Sequence, residues 1–134
     1  MEKNDNNDFT IIFVDIDNFK LINDKYGHLL GDEILIEFAH TLENNIRAND
    51  IVGRWGGEEF IIILDRTTME QSIIIAEKLR TFISEKIFKR IGHLTASFGI
   101  ADYRNKDTIS SLIQRADYSL YKAKEEGKNK ICFI

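Results

Sequence analysis

Residues 51–64 read Ile51-Val52-Gly53-Arg54-Trp55-Gly56-Gly57-Glu58-Glu59-Phe60-Ile61-Ile62-Ile63-Leu64. Ile51 to Trp55 and Phe60 to Leu64 are short apolar runs of strand character. A glycine pair between two such runs predicts a hairpin whose two-residue turn needs positive φ. Upstream, Phe9 to Ile16 (FTIIFVDI) is rich in β-branched and aromatic residues and reads as a buried strand. Phe19, Ile22 and Tyr26 recur at helical spacing up to Gly27. From Asp32, a plausible N-cap, the apolar stripe Ile34, Leu35, Phe38, Ala39, Leu42 and Ile46 predicts an amphipathic helix. Downstream, Thr67 and Glu70 have capping-box spacing and open a helix running to about Lys86. Leu94 to Ala101 reads as a strand, and Thr108 to about Glu126 as a helix closed by Gly127. Lys130 to Ile134 is a last strand. The expected fold is α+β: a single mixed central sheet flanked by helices, in the order βααββαβαβ, with the glycine pair on a β-hairpin.

Composition narrows the function. The 134 residues suit one domain, and 18 basic against 22 acidic side chains give a net charge of −4. No overall basic field exists to attract a polyphosphate chain, so neither DNA nor RNA is an expected partner. A single cysteine, Cys132, excludes an intramolecular disulfide framework and a cysteine-based zinc site, and suits a reducing compartment. No apolar run approaches the roughly 20 residues that span a bilayer. Residues 1–8 read as a polar tail without signal-peptide character, residues 9–134 as the domain, and the location as cytoplasmic.

Three features carry possible chemistry. Asp15 and Asp17 lie where the first strand ends, and period-two spacing would put both carboxylates on one face if the strand persists that far. Glu58 and Glu59 follow the glycines and, being adjacent on a strand, point to opposite faces. If the hairpin lies beside the first strand, carboxylates from two elements converge at a glycine turn. Magnesium takes one or two carboxylates and completes its shell with phosphate and water, while glycines let a backbone approach a triphosphate. Against this stands the plain alternative that acids at strand ends are solvated and Gly-Gly is merely a turn. Lys124 and Lys128 lie across the end of the last helix, where pairing with the helix C-terminus explains them as well as ligand binding does. Asn23 and Asp32 could hydrogen-bond a base edge. His28, His40 and His93 show no metal-ligand spacing, and Trp55 reads as a packing residue.

The segment Arg54-Trp55-Gly56-Gly57-Glu58-Glu59-Phe60 resembles the signature of GGDEF domains, the diguanylate cyclases, in its GGEEF form. Asp15-Ile16-Asp17-Asn18-Phe19-Lys20, Asn23-Asp24, Gly27-His28 and Gly31-Asp32 resemble the family's first strand and helices. Arg115-Ala116-Asp117, Leu120-Tyr121, Ala123-Lys124 and Gly127-Lys128-Asn129 resemble its C-terminal helix. The resemblance implies condensation of two GTP into cyclic di-GMP with release of pyrophosphate. By position, Asp15, Glu58 and the Ile16 carbonyl would hold Mg2+ (or Mn2+). Glu59 would act beside the metals, as a further ligand or in activating the 3′-hydroxyl. Asn23 and Asp32 would read guanine. Asn18, Phe19, Lys20, Lys124 and Lys128 would face the phosphates, over Gly56 and Gly57. Arg47-Ala48-Asn49-Asp50 falls where the family has its RxxD inhibitory site for cyclic di-GMP, with Lys78 as its second arm.

Two departures stand out. Lys128 stands where the family usually has arginine, which keeps charge but loses the planar fork, and Lys78 stands where the second inhibitory arm is often arginine, which implies weaker inhibition. The DxLTxLxNRR-like helix that normally opens such domains is lacking here, which bears on full activity rather than on the site. The resemblance further implies a transient homodimer for catalysis and an upstream sensory domain in a parent protein. The competing reading is a catalytically weak sensor that binds GTP or cyclic di-GMP. Retention of Asp15, Glu58 and Glu59 favours the enzyme.

Overall fold

The computed structural model describes residues 9–134, so the polar-tail reading of residues 1–8 lies outside the described residues. The elements are β1 (Phe9–Ile16), α1 (Phe19–Tyr26), α2 (His28–Glu43), β2 (Ile51–Arg54), β3 (Glu59–Asp65), α3 (Met69–Glu85), β4 (Ala96–Asp102), α4 (Ile109–Glu125) and β5 (Ile131–Phe133). They build one sheet in the order β2-β3-β1-β4-β5. β1 is central and antiparallel to both β3 and β4, while β5 joins β4 in parallel. The sheet is mixed, as expected.

β1 reads as a nearly continuous apolar run because both of its faces are covered. Ile12, Val14 and Ile16 point into the larger core with Phe60, Ile62, Phe98 and the inward faces of α2 and α3. Ile11 and Phe13 point the other way, onto Leu112, Ala116 and Leu120 of α4. α4 lies so close to β4 that a Cβ on Gly99 would collide with the helix backbone at Ala116 and Leu120. That helix packs on β4, β1 and β5. On the same face of β2 and β3, Ile51 and Trp55 remain exposed.

Four local expectations need correction. α2 begins at His28, not Asp32: Gly27, with φ 92°, turns the chain straight out of α1, and Asp32 sits exposed inside the helix. α2 also ends at Glu43, so Ile46 packs on the core from beyond it. The capping box of α3 is Thr68 with Gln71, not Thr67 with Glu70. The Thr67 side chain is buried and engaged elsewhere, accepting from Arg47 and donating to the Asp65 carbonyl. Finally, neither Gly56 nor Gly57 has positive φ. The hairpin loop spans residues 55–58 and closes by Trp55 N–H and Gly56 N–H donating to the Glu59 carbonyl.

Candidate active site

Strand pairing at the end of β1 assembles the acids. Asp15 lies directly opposite Glu59 on β3 and opposite Ser97 on β4. Like charges facing across a ladder are destabilising, so the arrangement is retained against its own electrostatics. The Asp15 carboxyl is pushed up to about 6, chiefly by burial, with Glu58 and Glu59 adding to the rise and Lys124 opposing it. Burial also raises Glu59, helped by Asp117 and Glu58. The Lys124 ammonium is 3.2 Å from Asp15 Oδ1. Its angle is nonetheless wrong for a hydrogen bond, and Asp15 Oδ1 is buried with no hydrogen-bond partner. A buried carboxylate oxygen with one ammonium shared with Asp17 and no well-formed hydrogen bond retains capacity for a further cation or a proton.

Asp17 behaves differently. β1 ends at Ile16, so the period-two relation with Asp15 is broken, yet both carboxylates meet Lys124. Asp17 is buried and accepts from Ser97 Oγ at 2.7 Å, Thr95 Oγ1 at 2.7 Å, Lys124 Nζ at 2.9 Å and Asn129 N–H at 2.9 Å. Burial alone would raise this carboxyl, but the hydrogen bonds from Lys124, Thr95 and Ser97 outweigh it and hold it below the ordinary range. Lys124 therefore faces the acids rather than merely capping a helix.

The remaining candidates surround the same end of the sheet. Asn18 adopts the left-handed conformation (φ 58°) ahead of α1, and its Oδ1 accepts from Lys128 Nζ at 2.7 Å. Phe19 is buried. Lys20 extends into solvent beside Asp24 at 3.3 Å. Asn23 leans over Gly31, where a Cβ would collide with its amide, so the helical glycine makes room for that side chain. Asp32 is exposed a residue further along α2. A cavity of about 390 Å³ borders Asp17 and Asn18 but runs between α1 and residues 91–95, and its lining includes neither Glu58 nor Glu59.

The glycine loop is open above. Nothing lies within 4 Å of a Cβ built on Gly57, and on Gly56 the nearest neighbour is Glu59 at 3.5 Å. The loop needs no glycine for φ or for its own packing, and at Gly57 the backbone stands open to an approaching group. Arg54, quoted in the signature but given no role there, holds the loop by donating Nε to the Gly56 carbonyl at 3.1 Å and Nη2 to the Gly57 carbonyl at 2.6 Å. Among the described residues no group of three His, Cys, Asp or Glu forms a complete metal cage. Two carboxylates, an orphaned oxygen and open space suit magnesium, which normally leaves part of its shell to phosphate and water.

Arg47 and Asp50 form a second cluster at the opposite end of the strands. The Arg47 guanidinium donates to both Asp50 oxygens at 2.8 and 2.9 Å, to the Asp65 carbonyl at 3.0 Å and to Thr67 Oγ1 at 2.6 Å. Asp50 also accepts from the Asp65 N–H. These bonds hold Asp50 below its usual range against the burial that would raise it. Lys78 is exposed on α3, ten residues beyond Thr68 and so roughly 15 Å along the helix, and is not brought together with the pair. Arg54, Thr95, Ser97 and Asn129 are the participants that sequence reasoning left without a role. The Thr-x-Ser spacing before and within β4, opposite Asp17, is the signal that would have pointed to two of them.

Comparisons with known proteins agree with this geometry. A family profile described as "Diguanylate cyclase, GGDEF domain" matches residues 1–130. Diguanylate cyclase DgcM of Escherichia coli K12 is 40% identical over 124 residues, which cover 92% of this chain and 30% of that protein. The active GGEEF domain of a diguanylate cyclase from Vibrio cholerae superposes with a TM-score of 0.87 at 39% identity, covering 93% of this chain and 81% of that one. The GGDEF domain of DgcB from Caulobacter crescentus, in complex with c-di-GMP, gives 0.88 at 30% identity, covering 93% and 77%. The chain thus spans about a third of the curated relatives' length or less in most cases. With the family profile spanning residues 1–130 and whole-domain superpositions at TM-scores of 0.87 and 0.88, the chain belongs to the GGDEF domain family.

Proposed function

We propose that residues 9–134 form a diguanylate cyclase domain that condenses two GTP into cyclic di-GMP. In each of two steps a 3′-hydroxyl of one nucleotide attacks the α-phosphorus of the other, the bond to the β-phosphate oxygen breaks, and pyrophosphate leaves with the proton passing to base or solvent. The observation that carries this reading is Asp15: a buried carboxylate oxygen that accepts no hydrogen bond, electrostatically coupled to Glu58 and Glu59 and paired only with the Lys124 ammonium.

Asp15, Glu58 and the Ile16 carbonyl would hold Mg2+ (or Mn2+), which when bound supplies charge neutralisation at the phosphates. Glu59 stands across the ladder from Asp15, and its raised carboxyl suits it to take a proton from the attacking hydroxyl. Lys124 and Lys128, with Lys20 and the backbone at Asn18 and Phe19, neutralise the triphosphate, as phosphoryl transfer chiefly requires. Asn23 and Asp32 read the guanine edge.

Arg47 and Asp50, with Lys78 as a distant second arm, form the inhibitory site for cyclic di-GMP. Two of the three guanidinium nitrogens of Arg47 are already engaged, so product meets mainly its remaining edge. An upstream sensory domain in a parent protein, a transient homodimer and a cytoplasmic location complete the reading. No helix among the described residues is long and apolar enough to cross a membrane.

The test is incubation with GTP and Mg2+ followed by mass analysis of the product, using the chain fused to a dimerising coiled coil. A cyclic dinucleotide from the parent and none from Asp15→Ala is the expected result. Absence of product from the folded parent at saturating GTP overturns the enzymatic reading in favour of a binding domain.

A further inference from the structure

The two aspartates at the end of β1 divide the work between them. Asp15 keeps an oxygen free, whereas Asp17 keeps none: each of its oxygens accepts two donors, and those donors come from β4, from the residue preceding it, from α4 and from the turn after α4. A carboxylate so saturated cannot ligate a metal without abandoning a bond it already makes. What it can do is hold other groups still.

The turn after α4 needs holding. Gly127, Lys128 and Asn129 have φ values of 121°, 65° and 48°, three successive residues on the left-handed side, two of them with side chains. Such conformations persist only where the surroundings over-determine them. Here the Asn129 N–H donates to Asp17 Oδ2 and, at 3.1 Å, to Ser97 Oγ. The Lys128 N–H donates to the Ala123 carbonyl at 3.0 Å, and Arg80 donates to Asn129 Oδ1 at 3.1 Å. The consequence is directional. Lys128 Nζ reaches back to Asn18, itself left-handed at φ 58°, and Lys124 Nζ sits 2.9 Å from Asp17 and 3.2 Å from Asp15.

We propose that Asp17 is a positioning residue: its saturated carboxylate fixes the Lys124 ammonium and the left-handed 127–129 turn, and thereby aims Lys124 and Lys128 at the substrate phosphates. The inference rests on the nucleotide reading of this site. It predicts that Asp17 matters to nucleotide binding only through the two amines.

Calorimetry with Mg2+ and a GTP analogue carrying a methylene bridge between the α and β phosphorus atoms tests it as a mutant cycle. Asp17→Asn preserves the shape of the side chain and removes its charge. In the parent it should weaken binding about tenfold, and in a Lys124→Met/Lys128→Met background it should change affinity by less than about twofold. An equal loss in both backgrounds assigns Asp17 a general structural role and overturns the inference alone, as does parental affinity in Asp17→Asn. A parent that does not bind the analogue, or a Lys124→Met/Lys128→Met variant that binds like the parent, overturns the nucleotide reading and the inference with it. Should Asp17→Asn fail to fold, Asn129→Gly carries the test. Glycine accommodates φ 48° and keeps the N–H to Asp17 but gives up the bond from Arg80 and loosens the turn, so a modest fall in thermal stability should accompany a severalfold fall in affinity. Unchanged affinity in that variant overturns the proposal.

Discussion

At the scale of single residues, Asp15 couples function to stability with opposite signs. An unfolded chain ionises this carboxyl near 3.8, whereas the folded one holds its proton to about 6. Between those values the folded state binds more protons than the unfolded state. Stability of the metal-free protein therefore falls as pH rises through that window. Asp15→Asn should remove this penalty: its thermal midpoint in chelator at pH 7.5 should exceed the parent's, and the advantage should vanish near pH 4. The same substitution should abolish turnover, by about a thousandfold or more, because it removes the proposed metal ligand and leaves the core intact. Parallel melting curves and product assays check both halves. The sequence placed Asp15 and Asp17 together as one acidic spot. It could not separate their roles, because that depends on where β1 stops and on donors some eighty residues away on β4.

At the scale of elements, the connections carry the ion pairs. Arg115 on α4 grips Asp107 through two bonds of 2.8 and 3.0 Å and reaches the Asp102 carbonyl at 2.5 Å, tying the β4–α4 connection to both its neighbours. The Arg115 hydrogen bonds hold the Asp107 carboxyl well below its ordinary range. A carboxyl lowered by folding stabilises above its unfolded pKa and loses that contribution as pH falls towards the folded one. Asp107→Asn should cost about 2 kcal/mol at pH 7, the scale of hydrogen bonds to charged partners. Denaturation at pH 7 and again below pH 4 should show the deficit shrinking with acidification.

Arg47 has a comparable double attachment, to Asp50 and to the β3–α3 connection at Asp65 and Thr67. Arg47→Ala should relieve inhibition by cyclic di-GMP with initial turnover largely retained, and should also lower the thermal midpoint. Titration of product against parent and variant distinguishes this from a purely structural pair, for which both would be inhibited alike. Asp50→Ala is the poorer probe, since it would leave the Arg47 side chain and the Asp65 N–H without their partner.

Element boundaries were legible wherever one period ran unbroken. FTIIFVDI, the α1 spacing and the α4 stripe all correspond to elements within a residue or so of their expected ends. Legibility failed where a residue serves tertiary contacts instead of local ones. Asp32 reads as the N-cap of α2 but lies inside it, next to Gly31, which admits Asn23, and Thr67 reads as a cap but serves Arg47. Gly56-Gly57 correctly announced a hairpin for the wrong reason, since its glycines leave space rather than supply positive φ.

At the scale of the whole molecule, symmetry decides how the site can work. Cyclic di-GMP contains two identical guanylate halves, each giving a 3′-hydroxyl to the other's α-phosphorus. One glycine loop with one set of acids offers one nucleotide position, so the proposed reaction needs two chains facing each other about a two-fold axis. Nothing in the helices of the described residues repeats as a heptad seam long enough to hold such a pair. An encounter driven by substrate alone must overcome several kcal/mol of lost translational and rotational freedom. The isolated domain should therefore sediment mostly as a monomer and turn over slowly. Its rate per chain should rise with protein concentration at saturating GTP, and a fused coiled coil should raise it at every dilution, most strongly where the free chain is most dilute. Specific activity across a dilution series, with sedimentation of the same samples, makes the comparison. A rate per chain that stays constant while the protein remains monomeric would rule out the two-chain mechanism, because a second-order encounter cannot be independent of concentration below its dissociation constant.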